Sequence, residues 1–144
     1  MSDKEKFDFE KAVLEDFKAS VVKTTLKSVY NPVQKGECKI TRGEATEATK
    51  RCGVYALFLD NELKKIGRAI TGHGIFTRMS QYYRMKTKDG ALKHINKQNR
   101  DKIVVWYFNL NTAKDCWAAE KYLQAKAYYA GEEMEWDDEV KKDS

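Results

Sequence analysis

Several constellations in the sequence hold residue types that could do chemistry. Glu62-Leu63-Lys64 is the E-x-K half of a metal-dependent nuclease motif, and its upstream acid would have to be Asp60. Asp60 is only two residues away and forms turn chemistry with Asn61, so it lacks the spacing that such a site needs. His73, His94 and Asn96 supply the residue types of a His-metal nuclease. They straddle two expected helices instead of one tight ββα unit, so surface roles fit them better. Cys38, Cys52 and Cys116 are far apart and form no C-x-x-C pair. Reduced thiols are expected from them, not zinc ligands or disulfides. No G-x-S-x-G, P-loop, G-x-G-x-x-G or EF-hand pattern occurs. Glu120 stands out for its setting. With Cys116, Trp117, Leu123 and Ala127 it falls roughly on one helix face. A carboxylate among apolar neighbours is costly unless it is paired or holds a metal.

Charge is unevenly distributed. Residues 61–103 carry 11 basic and 3 acidic side chains, a net +8, within a chain of 144 residues whose net charge is +5. Such a block is an electrostatic footprint for a polyanion. Tyr82 and Tyr83 lie inside it and could stack on bases. The acidic end, with Glu132, Glu133, Glu135, Asp137, Asp138 and Glu139, reads as a solubilising, frayed tail. No apolar run approaches a membrane span. The N-terminal residues lack the apolar stretch of an export signal. A cytoplasmic protein with no membrane partner is expected.

These residues need elements to position them. Val13, Leu14, Phe17, Val21, Val22, Leu26 and Val29 recur at helical spacing, which predicts a helix over 8–29, ended by Asn31-Pro32. Residues 33–37 read as a loop, 38–42 as a short strand and 43–51 as a helical or irregular link. The apolar run 53–60 predicts a buried strand. Asp60-Asn61 makes the turn, and 63–69 return as the second strand of a hairpin. A two-glycine loop, Thr71-Gly72-His73-Gly74, leads to a helix over about 75–85, and another is expected over 91–99. Residues 102–110 are the strongest strand pattern. Thr112 and Asp115 resemble a capping box for a helix reaching Ala130, with Gly131 at its end. The expected fold class is α+β: a small central three-stranded antiparallel sheet flanked by helices, with a helical N-terminal extension.

Within that order, Gly53-Val54-Tyr55 opens the first hairpin strand and Lys65-Ile66-Gly67 sits on the second. Arg78 follows on the next helix, and Glu120 lies on the helix after the last strand. This arrangement resembles the GIY-YIG nuclease family, over about residues 51–131. Gly53-Val54-Tyr55 matches the first motif. Lys65-Ile66-Gly67 matches the second except that Lys65 replaces its tyrosine, a feature shared with some restriction enzymes of the family. Arg78 with Tyr82 at i+4 on one helix face is similar to those enzymes as well. The family often carries an Asn after the glutamate helix, and no Asn follows Asn111 here.

The resemblance implies a restriction-type or phage-type endonuclease that hydrolyses DNA phosphodiester bonds. It implies catalytic roles for Tyr55, Lys65, Arg78, Tyr82 and Glu120, and structural roles for Gly53 and Gly67. Glu120 would hold one Mg²⁺ or Mn²⁺, hard cations suited to one carboxylate plus waters and phosphate. The planar fork of Arg78 would clamp the scissile phosphate. Tyr55 would stand nearest the water, with Lys65 favouring its phenolate or orienting the water. Gly67 would admit substrate or the next loop close to the backbone. Lys64, Arg68, His73, Arg84, Lys86, Lys88, Lys93 and Lys97 would contact nucleic acid, most simply double-stranded DNA. Residues 1–50 would be an extension for DNA contact or homodimerisation, and 132–144 the acidic tail. The alternative is a catalytically silent nucleic-acid-binding module on the same fold.

Overall fold

The computed structural model describes residues 7–30 and 50–137. The expected loop 33–37, the strand 38–42 and nearly all of the link 43–51 lie outside the described residues, as does Cys38. Helix α1 (Phe9–Phe17) starts at Asp8, whose carboxylate accepts the Lys11 amide at 3.1 Å. It stops at Lys18, which adopts left-handed φ 54°. The single helix expected over 8–29 is therefore broken. Val22–Thr25 form strand β1 and Leu26–Tyr30 a short helix α2. The β-branched run around Val21, Val22, Thr24 and Thr25 favours extended backbone. It pairs antiparallel with a strand far downstream, Val22 opposite Tyr107 and Thr25 opposite Val104.

Strands β2 (Gly53–Leu59) and β3 (Glu62–Ala69) form the expected hairpin. Asp60 and Asn61 both take positive φ, the conformation of a twist-matched two-residue turn. Helix α3 spans Ile75–Tyr83, strand β4 Val104–Asn109 and helix α4 Ala113–Tyr129. Thr112 caps α4 by accepting the Asp115 amide at 3.0 Å. Gly131, at φ 96°, closes the other end, where the Glu132 amide donates to the Ala127 carbonyl and the Gly131 amide to Tyr128. The helix expected over 91–99 is instead a 3₁₀ turn at Gly90–Lys93, followed by turns and a second 3₁₀ turn at Arg100–Lys102. Asn96 and Asn99 explain this. The Asn96 side chain accepts the amides of Gln98 and Asn99, and the Asn99 side chain accepts that of Asn96. These bonds compete with helical ones.

The fold is α+β with a four-stranded antiparallel sheet in the order β1-β4-β2-β3. The N-terminal segment supplies the extra strand beyond the three expected. Alternate residues of β2 enter two cores. Val54 and Ala56 pack with α1 and α4 residues such as Val13 and Leu123. Tyr55 and Leu57 pack with Leu26, Ile75, Met79 and Tyr82 on the opposite face. Burial on both faces is why β2 reads as an uninterrupted apolar run. Residues 132–137 are not a frayed tail. Met134, Trp136 and Asp137 are buried. The Trp136 amide donates to the Lys64 carbonyl at 2.9 Å, and its ring stacks on His94. Residues 138–144 lie outside the described residues. Among the described residues no helix is long and apolar enough to cross a membrane.

Candidate active site at the edge of the sheet

Strand β3 is an edge strand, so side chains from both faces of the sheet can meet around its outer side. A cleft of about 260 Å³ lies there, lined by Tyr55, Lys65, Gly67, Arg68, Ile70, Thr71, Arg78, Asp89 and Glu120. Four residues singled out by their pattern, Tyr55, Lys65, Arg78 and Glu120, thus converge from β2, β3, α3 and α4. Tyr55 lies opposite Gly67, and Lys65 pairs with Leu57, two residues along. Tyr55 and Lys65 therefore point to the same face as diagonal neighbours. Arg68 points to the other face, where its Nη1 meets Glu120 Oε1 at 2.5 Å. Glu120 is 4% exposed. Trp117, expected on the same buried face, is instead 52% exposed, because the buried stripe runs through Cys116, Ala119, Glu120 and Leu123.

Tyr55 is wholly buried in its core, and its hydroxyl bonds to the Tyr82 hydroxyl at 2.6 Å. Burial pushes the Tyr55 phenol up to about 12, and the nearby Lys65 ammonium only partly opposes this. The expectation that Lys65 makes Tyr55 a phenolate is thus outweighed by desolvation in the free protein. Burial opposes the charge on Lys65 as well, yet Tyr55, Asp137, Asp89 and Glu120 around it raise its pKa. Tyr82 is raised well above the usual tyrosine value, chiefly by burial. It does not line the cleft; its hydroxyl meets that of Tyr55, and its ring lies under the Arg78 guanidinium, 6.0 Å from the ring centre.

These shifts predict alkaline lability. A phenol whose folded pKa lies above its unfolded one contributes stability that is present below pH 10 and is lost as pH rises toward 12. For Tyr55 that is on the order of 2–3 kcal/mol. Tyr82 and Tyr107, also raised, act in the same direction. Urea unfolding midpoints should fall steeply above pH 10, and less steeply for Tyr55→Phe. Midpoints that stay level to pH 11.5 would contradict the burial argument.

The expected nucleic-acid residues divide. Arg68 lines the cleft but is committed to Glu120. Lys64 is turned away from it, held by Glu62 at 2.9 Å and Glu135 at 2.7 Å. These contacts also use up the E-x-K pair. His73 is exposed in the loop before α3 and lies outside the cleft lining. Arg84, Lys86, Lys88, Lys93 and Lys97 are exposed along the segment after α3. Tyr82 is too buried to stack on a base, and the Tyr83 ring is occupied by Tyr30 and Arg100. Two acids were overlooked. Asp89 faces Lys65 and Arg78 in the cleft, and Asp137, held by Gln124 at 2.9 Å, supports the charge of Lys65 from behind. The usable signal for Asp89 was its Asp-Gly pairing, a capping and turn signature, inside a run of bases.

Gly67 has a definite reason to be glycine. A Cβ there would overlap the Tyr55 hydroxyl and lie 2.6 Å from Cζ. The space a side chain here would fill is taken by Tyr55, while Gly67 itself still lines the cleft. Gly53 is similarly confined, since a Cβ would strike the Phe108 carbonyl of β4.

Among the described residues no group of three or more His, Cys, Asp or Glu could hold a metal. A cation in the cleft would have one carboxylate, Glu120, which Arg68 pairs and Lys121 approaches to 3.9 Å, with waters and phosphate to complete its shell. Glu120 offers a hard oxygen donor at the wall of an open polar cleft. A Mg²⁺ or Mn²⁺ ion there would compete with Arg68 for Oε1. No family model matches the chain, and no curated protein or solved structure matches it.

Proposed function

We propose that this chain is a metal-dependent endonuclease of the GIY-YIG type, hydrolysing DNA phosphodiester bonds. The supporting observation is the convergence of Tyr55, Lys65, Arg78 and Glu120 on one cleft from four separate elements. The exposed bases Arg84, Lys86, Lys88, Lys93 and Lys97 on the segment after α3, which contributes Asp89 to the cleft, suit a polyanionic substrate.

Arg78 projects its guanidinium into the cleft from α3 and would bind two phosphoryl oxygens, stabilising charge as it builds. Lys65 places a second, buried cation on the same lining. Tyr55 is protonated at neutral pH. Its hydroxyl would orient the attacking water, with Tyr82 fixing the direction of that hydroxyl through the 2.6 Å bond. Positive charge gathering near it would favour the phenolate, which could accept the water's proton once the phenol's own proton has left to solvent. Glu120 would hold a divalent cation, which supplies polarisation of a phosphoryl oxygen and relief of charge on the leaving oxygen.

The direct test is incubation of the purified chain with supercoiled plasmid, with Mg²⁺ or with EDTA. Nicked or linear products that vanish in EDTA are expected. Binding without cutting across varied DNA substrates, with either Mg²⁺ or Mn²⁺, would overturn the enzyme reading in favour of a silent binding module.

A further inference from the structure

Asp89 is an acid placed where a phosphate should go. Its Oδ1 lies 3.7 Å from Lys65 Nζ and its Oδ2 3.9 Å from Arg78 Nη1. It is held there by its own turn. Oδ1 accepts the Ala91 amide at 2.8 Å, and the Asp89 amide donates to Thr87 Oγ1 at 3.3 Å. Arg78 Nη1 also reaches Thr87 Oγ1 at 3.4 Å, so the same turn touches both the acid and the clamp. The carboxylate lines the cleft with Lys65 and Arg78 and is partly screened from water. Two oxygens of one anion facing a lysine and an arginine match the charge and span of two phosphoryl oxygens. Both separations exceed a direct hydrogen bond. The turn thus keeps the carboxylate back from the cations, with the cleft open beside it.

We propose that Asp89 is an internal stand-in for phosphate that sets which phosphate esters the cleft retains. It offsets part of the charge of Lys65 and Arg78 in the free protein and repels any phosphate seated between them. This deepens the nuclease reading and rests on it. A phosphodiester carries one negative charge, whereas the monoester left by hydrolysis carries about 1.5 to 2 at neutral pH. Asp89 therefore disfavours the product more than the substrate and promotes its release.

Asp89→Asn separates charge from scaffold, because Asn caps a helical turn about as well as Asp. Binding is measured by calorimetry on the full chain at low ionic strength, first with inorganic phosphate. Asp89→Asn should bind phosphate about tenfold more tightly than wild type, the scale of one like charge removed at the edge of a protein interior. It should also gain more affinity for a 5′-phosphorylated oligonucleotide than for the same oligonucleotide without its phosphate. Adding Arg78→Gln to Asp89→Asn should erase the gain. Asp89→Glu, which restores the charge, should return affinity toward wild type. Unchanged, weaker or unmeasurable phosphate binding by a folded Asp89→Asn protein would overturn the proposal, as would a gain that survives Arg78→Gln. These titrations need no cleavage. Tighter phosphate binding with no plasmid cleavage would remove the nuclease reading alone, and cleavage without tighter binding would remove this one alone.

Discussion

Replacing Glu120 by Gln should abolish metal-dependent cleavage while leaving DNA binding as tight as before or tighter. The substitution is isosteric, so the packing of α4 against Val54 and Ile66 should persist. What is lost is the charge of the single buried carboxylate on that side of the cleft. If it holds the cation, several kcal/mol of transition-state stabilisation go with it, about a thousandfold or more in rate. Stability should change far less. Breaking a fully buried ion pair costs ~3–5 kcal/mol. The Arg68 side chain keeps 28% of its surface in water, so a loss nearer 1–2 kcal/mol is expected. Arg68→Gln is the control, because it breaks the same pair and leaves the carboxylate. It should keep cleavage that responds to Mg²⁺. Equal inactivation of both variants would mean that the ion pair, not metal binding, is what the site needs. A wild-type chain that binds but never cuts would leave Glu120→Gln with nothing to lose. Plasmid nicking, DNA binding and urea unfolding of the three proteins separate these results.

Much of the architecture was legible because local pattern and tertiary demand agree there. The apolar run of β2, the Asp60-Asn61 turn and the cap at Thr112 each have a short-range cause. Strand β1 was hidden for the opposite reason. Its apolar residues fall by chance at helical spacing, and its partner β4 is remote in sequence, so no local window reveals the pairing. The 91–99 segment failed where Asn96 and Asn99 turned their side chains on the backbone. The tail misled by composition. Its acids suggested solvent, while Met134 and Trp136, the large apolar residues among them, are what dock it.

At the site, identities were easier to read than environments. Tyr55, Lys65, Arg78 and Glu120 were singled out together by the family resemblance, which carries no burial. Desolvation therefore decides the state of Tyr55, against the charge of Lys65. Lys64 and Lys65 are adjacent and chemically alike, yet only Lys65 enters the cleft. The register of the hairpin shifts between Leu57 and Phe58, so Lys64 falls beside the irregularity and turns to Glu62 and Glu135. Simple alternation along β3 cannot foresee such a shift. Asp89 depends on a turn after α3 that places an acid beside residues from two other elements.

Gly67→Ala should cost more in cleavage than in stability. The added carbon would overlap the Tyr55 hydroxyl and sit 2.6 Å from Cζ and 3.1 Å from Cε1. Tyr55 has little freedom to yield. It is wholly buried, its hydroxyl is tied to Tyr82, and the two rings meet edge-on with centroids 6.1 Å apart. Overpacking of this kind costs ~1–3 kcal/mol. The functional loss should be larger, because a displacement of about 1 Å at a reacting group can cost 10²-fold in rate. Adding Tyr55→Phe separates the two effects. It removes the oxygen that the methyl overlaps but leaves Cζ and Cε1 in place, so urea unfolding should show partial recovery of stability. Cleavage should not recover, since the hydroxyl proposed to orient the water is gone. A Gly67→Ala protein that is both stable and active would show that Tyr55 can move aside without consequence. A side chain free to do that is not the one that orients the water.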